Sequence, residues 1–340
     1  MVNSRTPNSP GLIVTRTPLR VSFAGGGTDL AAFYQREYGA VLSTAINQYI
    51  YVMVKRHGEV FNEPIRLNYS KSERVDRVDE IENNIARECL RLLKIEPPIY
   101  ISTVGDLPAS TGLGSSSAFA VGLLNALHAF RGERVSAGQL AEEAATIEIE
   151  VLKQPIGKQD QYAAAFGGFN FLRFNPGDGV TVEPVRACNG TLGKLFGQLL
   201  MFWTGHQRSA STVLTEVRAN VDARYDYLLQ MRQHAHQLHE LISEGRCEAP
   251  LVGEILDETW RLKRQLAHNV SNRSIDDWYD RARAAGAAGG KLCGAGSGGF
   301  LLFAVSPNRQ ASVGRALSEL TQVPIQYEAH GSRVLMPNGH

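Results

Sequence analysis

The sequence has no excess of either charge and no long apolar run. Its 340 residues include 35 Lys and Arg against 34 Asp and Glu, which gives a formal net charge of +1. Because no segment is rich in Lys and Arg, neither a nucleic acid nor an anionic membrane is expected as a partner. No apolar run approaches the ~18–20 residues that span a bilayer, and residues 1–10 lack the apolar stretch of a signal peptide. A cytoplasmic protein is therefore expected.

Cysteine is scarce and scattered. The four cysteines, Cys89, Cys188, Cys247 and Cys293, form no C-x-x-C pair. The spacing therefore does not predict a zinc site, and reduced thiols of the kind usual in the cytosol are expected.

Strand-like and helix-like patterns alternate along the chain, and the composition changes near residues 190–198. The predicted strands are 12–15, 20–24, 40–45, 49–54, 99–103, 169–174, 180–185, 199–203, 299–305 and 324–328. The predicted helices are 79–94, 118–130, 136–152, 209–244, 251–268, 274–286 and 308–320. These patterns predict an α+β chain with two domains, residues 11–195 and 196–335.

The most informative segment is Gly112-Leu113-Gly114-Ser115-Ser116-Ser117, which follows a predicted strand and opens an apolar helix. Glycines let the backbone approach phosphate oxygens, and a helix start offers unpaired N–H groups and the positive end of its dipole. The serines add hydroxyl donors, one of which could ligate Mg²⁺. The segment is not a Walker A loop, because no Gly-Lys pair of the chain is followed by Ser or Thr. A Ser-capped helix after a flexible turn is the alternative without a ligand.

Two other glycine-rich segments are ambiguous when taken alone. Residues 294–299 match G-x-G-x-x-G, but they precede a strand, whereas a dinucleotide fingerprint follows a strand and opens a helix. A nicotinamide or flavin site is therefore not expected. In residues 20–29, Arg20 and Asp29 flank three glycines, which an exposed turn before a helix would also show.

Together, the three segments resemble those of the GHMP kinases, the superfamily of galactokinase, homoserine kinase, mevalonate kinase and phosphomevalonate kinase. The resemblance runs from about Arg16 to Phe303, with the three motifs in the family's order. Residues 16–30 look like the same segment of bacterial D-glycero-D-manno-heptose 7-phosphate kinases and their fucokinase-like relatives. The resemblance implies an N-terminal domain like ribosomal protein S5 domain 2 and a ferredoxin-like C-terminal domain, with ATP·Mg²⁺ and sugar in the cleft between them.

The resemblance also implies roles for residues near the sugar. Galactokinases have an Arg and, nine positions later, an Asp, as Arg20 and Asp29 are spaced here. Arg20 would lie beside the reacting hydroxyl, and Asp29 would bind sugar hydroxyls. Gly26-Gly27 replace the family's Glu-His pair, which removes two polar contacts to galactose and makes room for a bulkier sugar. The remaining residues expected at the substrate are Thr28, Gly26, Gly27, Gly296, Ser297 and Lys158.

The catalytic carboxylates follow from the same resemblance. Asp160 matches the family's catalytic Asp, and Glu148, twelve positions upstream, matches its Mg²⁺-ligating Glu, with Glu150 as a rival. Ser116 would be the second metal ligand. Phosphoryl transfer needs such a bridging metal and a carboxylate near the attacking hydroxyl. The residues expected to hold ATP are Pro108, Gly112, Leu113, Gly114, Ser115, Ser116 and Ser117.

The expected function is ATP-dependent phosphorylation of the anomeric C1 hydroxyl of D-glycero-D-manno-heptose 7-phosphate to the 1,7-bisphosphate, for nucleotide-activated heptose synthesis. One alternative is another sugar kinase, such as L-fucose kinase. The other is a non-catalytic sugar sensor, which would not need Arg20, Glu148 and Asp160. A phosphorylated sugar also predicts basic side chains at the far end of its pocket, and the candidates are Lys153, Lys158, Arg208 and Lys291. The sequence leaves the oligomeric state open, with a homodimer among the options.

Overall fold

The computed structural model describes residues 11–58, 60–188, 190–207 and 211–336. The strands are β1 (Ile13–Ala24), β2 (Gly39–Arg56), β3 (Ile65–Asn68), β4 (Ser72–Val75), β5 (Ile99–Gly105), β6 (Phe169–Phe174), β7 (Val180–Pro184), β8 (Leu199–Trp203), β9 (Gly289–Leu292), β10 (Phe300–Ala304), β11 (Thr321–Val323) and β12 (Arg333–Met336). The α-helices are α1 (Ala31–Tyr34), α2 (Asn84–Leu92), α3 (Ser115–Phe130), α4 (Ala137–Ala145), α5 (Gln159–Phe166), α6 (Thr191–Phe196), α7 (Ser211–Ala219), α8 (Tyr225–Ser243), α9 (Ala249–Lys263), α10 (Arg273–Ala284) and α11 (Gln310–Ala316). A π-helix (Thr146–Val151) continues α4. Across these described ranges, no helix has the length and apolar content to cross a membrane.

The first sheet is built around two long antiparallel strands, β1 and β2. Pro18 has no N–H to donate, and the register shifts there, from Pro18 opposite Tyr49 to Leu19 opposite Ile46. β5 pairs with the C-terminal half of β2 and β6 with its N-terminal half. The strand order is β12-β1-β2-β5-β3-β4, with β6 and then β7 added beside β2.

The second sheet is antiparallel, with the order β11-β8-β10-β9. The two sheets do not have separate cores. One hydrophobic cluster joins the first sheet and α3 to residues of α8, α9 and β8. A second cluster fills the space around β10 and includes Leu30 and Phe33 from the N-terminal part of the chain. This shared packing holds the ends of both sheets together where the glycine-rich segments lie.

Several predicted elements differ from the structure. The strands predicted at 12–15 and 20–24 form one strand, as do those at 40–45 and 49–54, because the register shift at Pro18 carries pairing through the break. The predicted helix 209–244 is interrupted between α7 and α8. The predicted strand 324–328 contributes a single bridge, between Tyr327 and Ile46.

The predicted boundary at residues 195–196 lies at the end of α6, between strands of the two sheets. We propose it as the domain boundary, with one change to the predicted second domain of 196–335. After β11 the chain returns to the first sheet, where β12 pairs with β1. β12 therefore belongs to the first domain.

Candidate active site

The three glycine-rich segments meet at one cavity of about 290 Å³. Gly112 and Gly294 pack backbone against backbone there. A Cβ at Gly112 would lie 2.7 Å from the Cys293 carbonyl oxygen, and a Cβ at Gly294 would lie 2.3 Å from Gly112 Cα. Both glycines have positive φ, 81° and 71°, so these positions require glycine.

The start of α3 forms the phosphate side of the cavity. α3 begins directly after Gly114, and no side chain caps it, which leaves its first-turn N–H groups for an anion. Of the residues predicted to hold ATP, those that line the cavity are Gly112, Gly114, Ser115, Ser116 and Ser117. Pro108 is exposed in the preceding loop, and the Leu113 side chain is buried in the core. Neither of them lines the cavity.

Arg20 and Asp160 form an ion pair in the cavity wall. Arg20 Nε and Nη2 each lie 2.7 Å from Asp160 Oδ1, and Arg20 Nη1 donates to the Gly112 carbonyl oxygen at 2.7 Å. Asp160 stands in the first turn of α5 with 23% of its side chain exposed, against 6% for Arg20. The guanidinium uses only Oδ1, so it orients the carboxylate and leaves Oδ2 for a ligand.

Glu148 lies on the π-helix and reaches the start of α3. Its Oε1 accepts a hydrogen bond from Ser116 Oγ at 2.6 Å, and its Oε2 accepts one from Gln161 Nε2 at 2.7 Å. Burial raises the pKa of the Glu148 carboxyl, and the hydrogen bonds from the serines and Gln161 oppose that shift. Glu150, the rival for the metal site, is exposed and does not line the cavity.

Ser116 and Glu148 offer oxygen donors of the kind that Mg²⁺ prefers. Both Glu148 oxygens accept from neutral groups, so this buried carboxylate has no cation in direct contact through those bonds. No group of three His, Cys, Asp or Glu in the described ranges could hold a metal. The pair therefore fits a cation that takes its other ligands from phosphate oxygens and water.

Asp29 also lines the cavity. Its Oδ1 accepts from the Gly27 N–H at 2.9 Å and its Oδ2 from Gln159 Nε2 at 3.0 Å. Burial raises the pKa of the Asp29 carboxyl. Gly26, Gly27 and Gly296, which were predicted at the substrate, also line this cavity.

Two residues predicted at the substrate use their side chains inside the fold instead. Thr28 is fully buried, and its Oγ1 accepts a hydrogen bond from the Ala40 N–H at 3.0 Å. Ser297 donates its hydroxyl to the Asn269 carbonyl oxygen. Neither lines the cavity, because each hydroxyl holds a glycine-rich turn in place.

The basic residues predicted at the sugar's phosphate differ in whether they line the cavity. Lys158 Nζ donates to the Asp178 carbonyl oxygen at 3.0 Å and lies 3.8 Å from Glu142, and it does not line the cavity. Lys153 is exposed and also lies outside the lining. Arg208 lies outside the described residues. Of the three candidates that the structure describes, only Lys291 lines the cavity.

The lining residues that sequence reasoning missed include Ser22, Gln159 and Lys263. Ser22 shares a face of β1 with Arg20, because side chains two positions apart point the same way, so that alternation could have identified it. Gln159 adjoins Asp160. Lys263 lies about thirty residues before the third glycine-rich segment and carries no local signal.

Comparison with known proteins places this chain in a family. Residues 62–168 match the family model described as GHMP kinases N terminal domain, and residues 247–321 match GHMP kinases C terminal. The chain is 31% identical over 319 residues to a D-glycero-alpha-D-manno-heptose 7-phosphate kinase of Campylobacter jejuni, over 90% of this chain and 93% of that one. It is 27% identical over 318 residues to a bifunctional fucokinase/GDP-fucose pyrophosphorylase of Arabidopsis thaliana, over 84% of this chain and 29% of that longer protein.

Solved structures agree with these matches. The crystal structure of a D-glycero-D-manno-heptose 1-phosphate kinase from Bacteroides thetaiotaomicron has a TM-score of 0.78 and 26% identity, over 95% of this chain and 99% of that one. The predicted α+β, two-domain GHMP kinase fold is thereby confirmed. GHMP kinases use ATP as the phosphate donor. The chain therefore belongs to the GHMP kinase family and is a sugar kinase, a phosphotransferase with an alcohol group as acceptor.

Proposed function

We propose that this kinase transfers the γ-phosphoryl group of ATP to the anomeric C1 hydroxyl of D-glycero-D-manno-heptose 7-phosphate, and so forms the 1,7-bisphosphate for nucleotide-activated heptose synthesis. The observation that carries the proposal is the surroundings of Asp160. One cavity contains this ion-paired carboxylate, an uncapped helix start and buried polar groups suited to sugar hydroxyls. The similarity to a kinase named for heptose 7-phosphate supports the choice of sugar.

The nucleotide phosphates would lie at the start of α3, where the first-turn N–H groups and the Ser115 hydroxyl can donate to them. Ser116 and Glu148 would hold Mg²⁺, which would offset the negative charge of the phosphates. Arg20 already connects Asp160 to the Gly112 carbonyl. Its positive charge would therefore stabilise the phosphoryl group between donor and acceptor.

Asp160 Oδ2 would accept the proton of the attacking hydroxyl. Arg20 fixes the carboxylate through Oδ1, so no reorientation is needed before the proton moves. The hydroxyl oxygen then forms its bond to the γ-phosphorus, and the bond from that phosphorus to the β–γ bridging oxygen breaks. ADP leaves with the electron pair of the broken bond.

The sugar hydroxyls would be bound by Asp29, Gln159 and Ser22. Ser22 Oγ and Gln159 Oε1 are buried and have no hydrogen-bond partner in the structure, and buried polar atoms normally have one. Both side chains flank Gly26, where a Cβ would lie 3.7 Å from Gln159 Nε2 and 3.9 Å from Ser22 Oγ. This space beside unpaired polar atoms suits a polyhydroxylated acceptor.

The test is a screen of acceptors with ATP, read as ADP formation and as loss of reducing-sugar reactivity. It includes heptose 7-phosphate and heptose 1-phosphate, because the two heptose kinase relatives are named for different phosphates, together with free heptose, L-fucose and galactose. We expect heptose 7-phosphate to exceed free heptose at least ~10-fold in kcat/KM, from one charge-assisted contact. Its product should no longer reduce, because the new phosphate caps C1.

Other results would replace this assignment. Turnover of L-fucose as fast as that of heptose 7-phosphate would favour a fucokinase, which the Arabidopsis relative supports. A product that still reduces would exclude the anomeric hydroxyl. Binding of a sugar without ADP formation would favour a sugar sensor.

A further inference from the structure

Two lysines of the C-terminal half line the cavity and are almost completely buried. Lys263 is the last residue of α9 and Lys291 lies in β9, and their exposed fractions are 8% and 4%. Lys263 Nζ donates to the carbonyl oxygens of Leu292, at 2.9 Å, and Gly294. The helix end therefore holds this ammonium group directly beneath the third glycine-rich segment.

Lys291 reaches the N-terminal half of the chain. Its Nζ donates to the carbonyl oxygens of Ser22 at 2.8 Å and Phe23 at 3.0 Å, just before the Gly25–Gly27 turn of the proposed sugar site. An ammonium group has three N–H donors. After two carbonyl contacts each, Lys263 and Lys291 have one donor apiece left for a ligand in the cavity that both line.

Neither lysine has a carboxylate partner among the described residues. The charged neighbours of Lys263 are Lys291 and Arg20, that of Lys291 is Arg20, and the buried Cys293 thiol lies near both lysines. By contrast, Lys158 has the same 8% exposure but lies 3.8 Å from Glu142. Burial lowers the pKa of Lys291 to about 8, and burial together with the charge of Lys291 lowers the pKa of Lys263 well below its usual range.

Two buried ammonium groups without a counterion destabilise the fold, and such arrangements are typical of sites that bind an anion. Lys291 contacts the backbone of Ser22, whose side chain is proposed to bind a sugar hydroxyl. Lys263 contacts the glycine-rich segment that contains Gly296, which lines the same cavity. These contacts place the anion on the acceptor side of the cavity.

We propose that Lys263 and Lys291 bind the phosphate group that the acceptor sugar carries before the reaction, and that this contact selects sugar phosphates over free sugars. The inference rests on the proposed function. Binding energy from a group remote from the reacting hydroxyl can orient that hydroxyl toward Asp160. Lys263 and Lys291 would thus be specificity-determining residues.

The test compares Lys263→Met and Lys291→Met with the wild type, using heptose 7-phosphate and free heptose as acceptors. Each substitution should lower kcat/KM for heptose 7-phosphate about 10- to 100-fold, the range for a charge-assisted hydrogen bond. The kcat/KM for free heptose and the KM for ATP should stay within about threefold of the wild type. Lys158→Met, the same change at an equally buried lysine outside the cavity, should leave the ratio of the two kcat/KM values unchanged.

Equal losses with both acceptors, or a raised KM for ATP, would overturn the inference in favour of a structural role or of the nucleotide phosphates. A wild type that prefers the phosphorylated sugar, together with lysine variants that keep this preference, would also overturn it while the proposed function stands. A wild type with no preference for the phosphorylated sugar would contradict both.

A second measurement does not depend on the folding of the variants. Inorganic phosphate should inhibit the wild type competitively with heptose 7-phosphate and not with ATP, because it would occupy the lysine pair alone. Competition with ATP only would place the anion at the start of α3 and overturn the inference.

Discussion

At the scale of single residues, the two carboxylate oxygens of Asp160 have different roles. Arg20 holds Oδ1, and Oδ2 is left to accept a proton. Both guanidinium donors contact Oδ1, so a change that spares this contact tests Oδ2 alone. Asp160→Asn keeps an oxygen for Arg20 but removes the proton acceptor. Turnover should fall ~10²- to 10⁴-fold, while binding of an ATP analogue, followed by calorimetry, should remain near that of the wild type.

The matched control for this change is Asp226→Asn. Asp226 also stands in the first turn of a helix, α8, and is exposed, so the helix-dipole effect of the substitution is similar. Near-normal turnover of Asp160→Asn would remove Asp160 from the mechanism.

Glu148 and Glu150 lie two positions apart but face different surroundings, and this difference predicts their roles. Glu148 is buried beside Ser116, whereas Glu150 is exposed. Glu148→Gln would lose a charged oxygen donor, so the Mg²⁺ concentration for half-maximal rate should rise. Affinity for Mn²⁺ in the presence of ATP, measured by electron paramagnetic resonance, should fall in parallel.

Glu150→Gln is the control for this experiment and should behave as the wild type in both measurements. The reverse result, with Glu148→Gln silent, would mean that the register of the π-helix is wrong.

The charge on Lys291 should make stability depend on pH. Its pKa is about 8 in the folded protein, against ~10.4 in an unfolded chain. Between these values the unfolded state binds more protons, so this group's contribution to stability rises with pH and its cost is greatest below pH 8. The free energy of unfolding of Lys291→Met minus that of the wild type should therefore fall as the pH is raised from 7 to 10.

Urea denaturation at several pH values measures this difference. Its slope should not exceed about 1.4 kcal/mol per pH unit, the limit for one proton. A difference that does not change with pH would mean that Lys291 titrates normally. Saturating heptose 7-phosphate should remove the pH dependence if the sugar's phosphate neutralises the charge.

At the scale of elements, the loop before α3 depends on its contact with the third glycine-rich segment. Gly112→Ala would place a Cβ 2.7 Å from the Cys293 carbonyl at a φ of 81°, so backbone must move. We expect a loss of roughly 1–3 kcal/mol of stability and weaker ATP binding, measured by thermal denaturation and calorimetry.

Gly26→Ala is the matched control for the same chemical change. Its Cβ would make only ordinary contacts, at 3.7 and 3.9 Å, so stability should be unchanged. Because that Cβ occupies the proposed sugar space, the KM for the sugar should rise while the KM for ATP does not. Equal destabilisation by the two alanines would contradict the structure of these turns.

The elements that the sequence predicts well are those whose signals are local. β6 and β8 match their predicted bounds, and α3 follows its apolar pattern. The local sequence around Pro18 does not show that the strands predicted at 12–15 and 20–24 are one strand. Only pairing with β2 shows that β1 continues beyond a bulge. The short helix α5, which carries Asp160, was not predicted, because tertiary packing against α3 and α4 stabilises it more than its Gly- and Gln-rich start does.

The residues of the site also divide into those with a local sequence signal and those brought together only by the fold. Arg20, Asp29, Glu148 and Asp160 lie in segments that resemble the family's motifs, and all four line the cavity. Lys263 could not be identified from the sequence, since only the meeting of α9 and β9 brings it to the cavity. Thr28 and Ser297 belong to the same motifs but serve the turns, which a motif alone does not distinguish from ligand contacts.

At the scale of the whole molecule, the last described strand, β12, covers the edge of β1 in the first sheet. β12 pairs with β1, with Val334 opposite Thr15 and Arg333 opposite Arg16. The Ser332 hydroxyl also forms a hydrogen bond with Thr17 Oγ1, at 2.8 Å. None of residues 299–336 lines the cavity, so this pairing should stabilise the protein without taking part in its chemistry.

Truncation of the chain after Ser332 therefore separates stability from function. Loss of β12 leaves backbone groups of β1 unpaired, and exposed strand edges promote association between molecules. The truncated protein should show a lower Tm and concentration-dependent aggregation on heating, while kcat and both KM values at 25 °C stay near those of the full chain. A chain that ends at Met336 keeps β12 and should match the full chain in Tm. An unchanged Tm after truncation at Ser332 would show that β12 contributes nothing to stability, and a large fall in kcat would show that this edge is coupled to the active site.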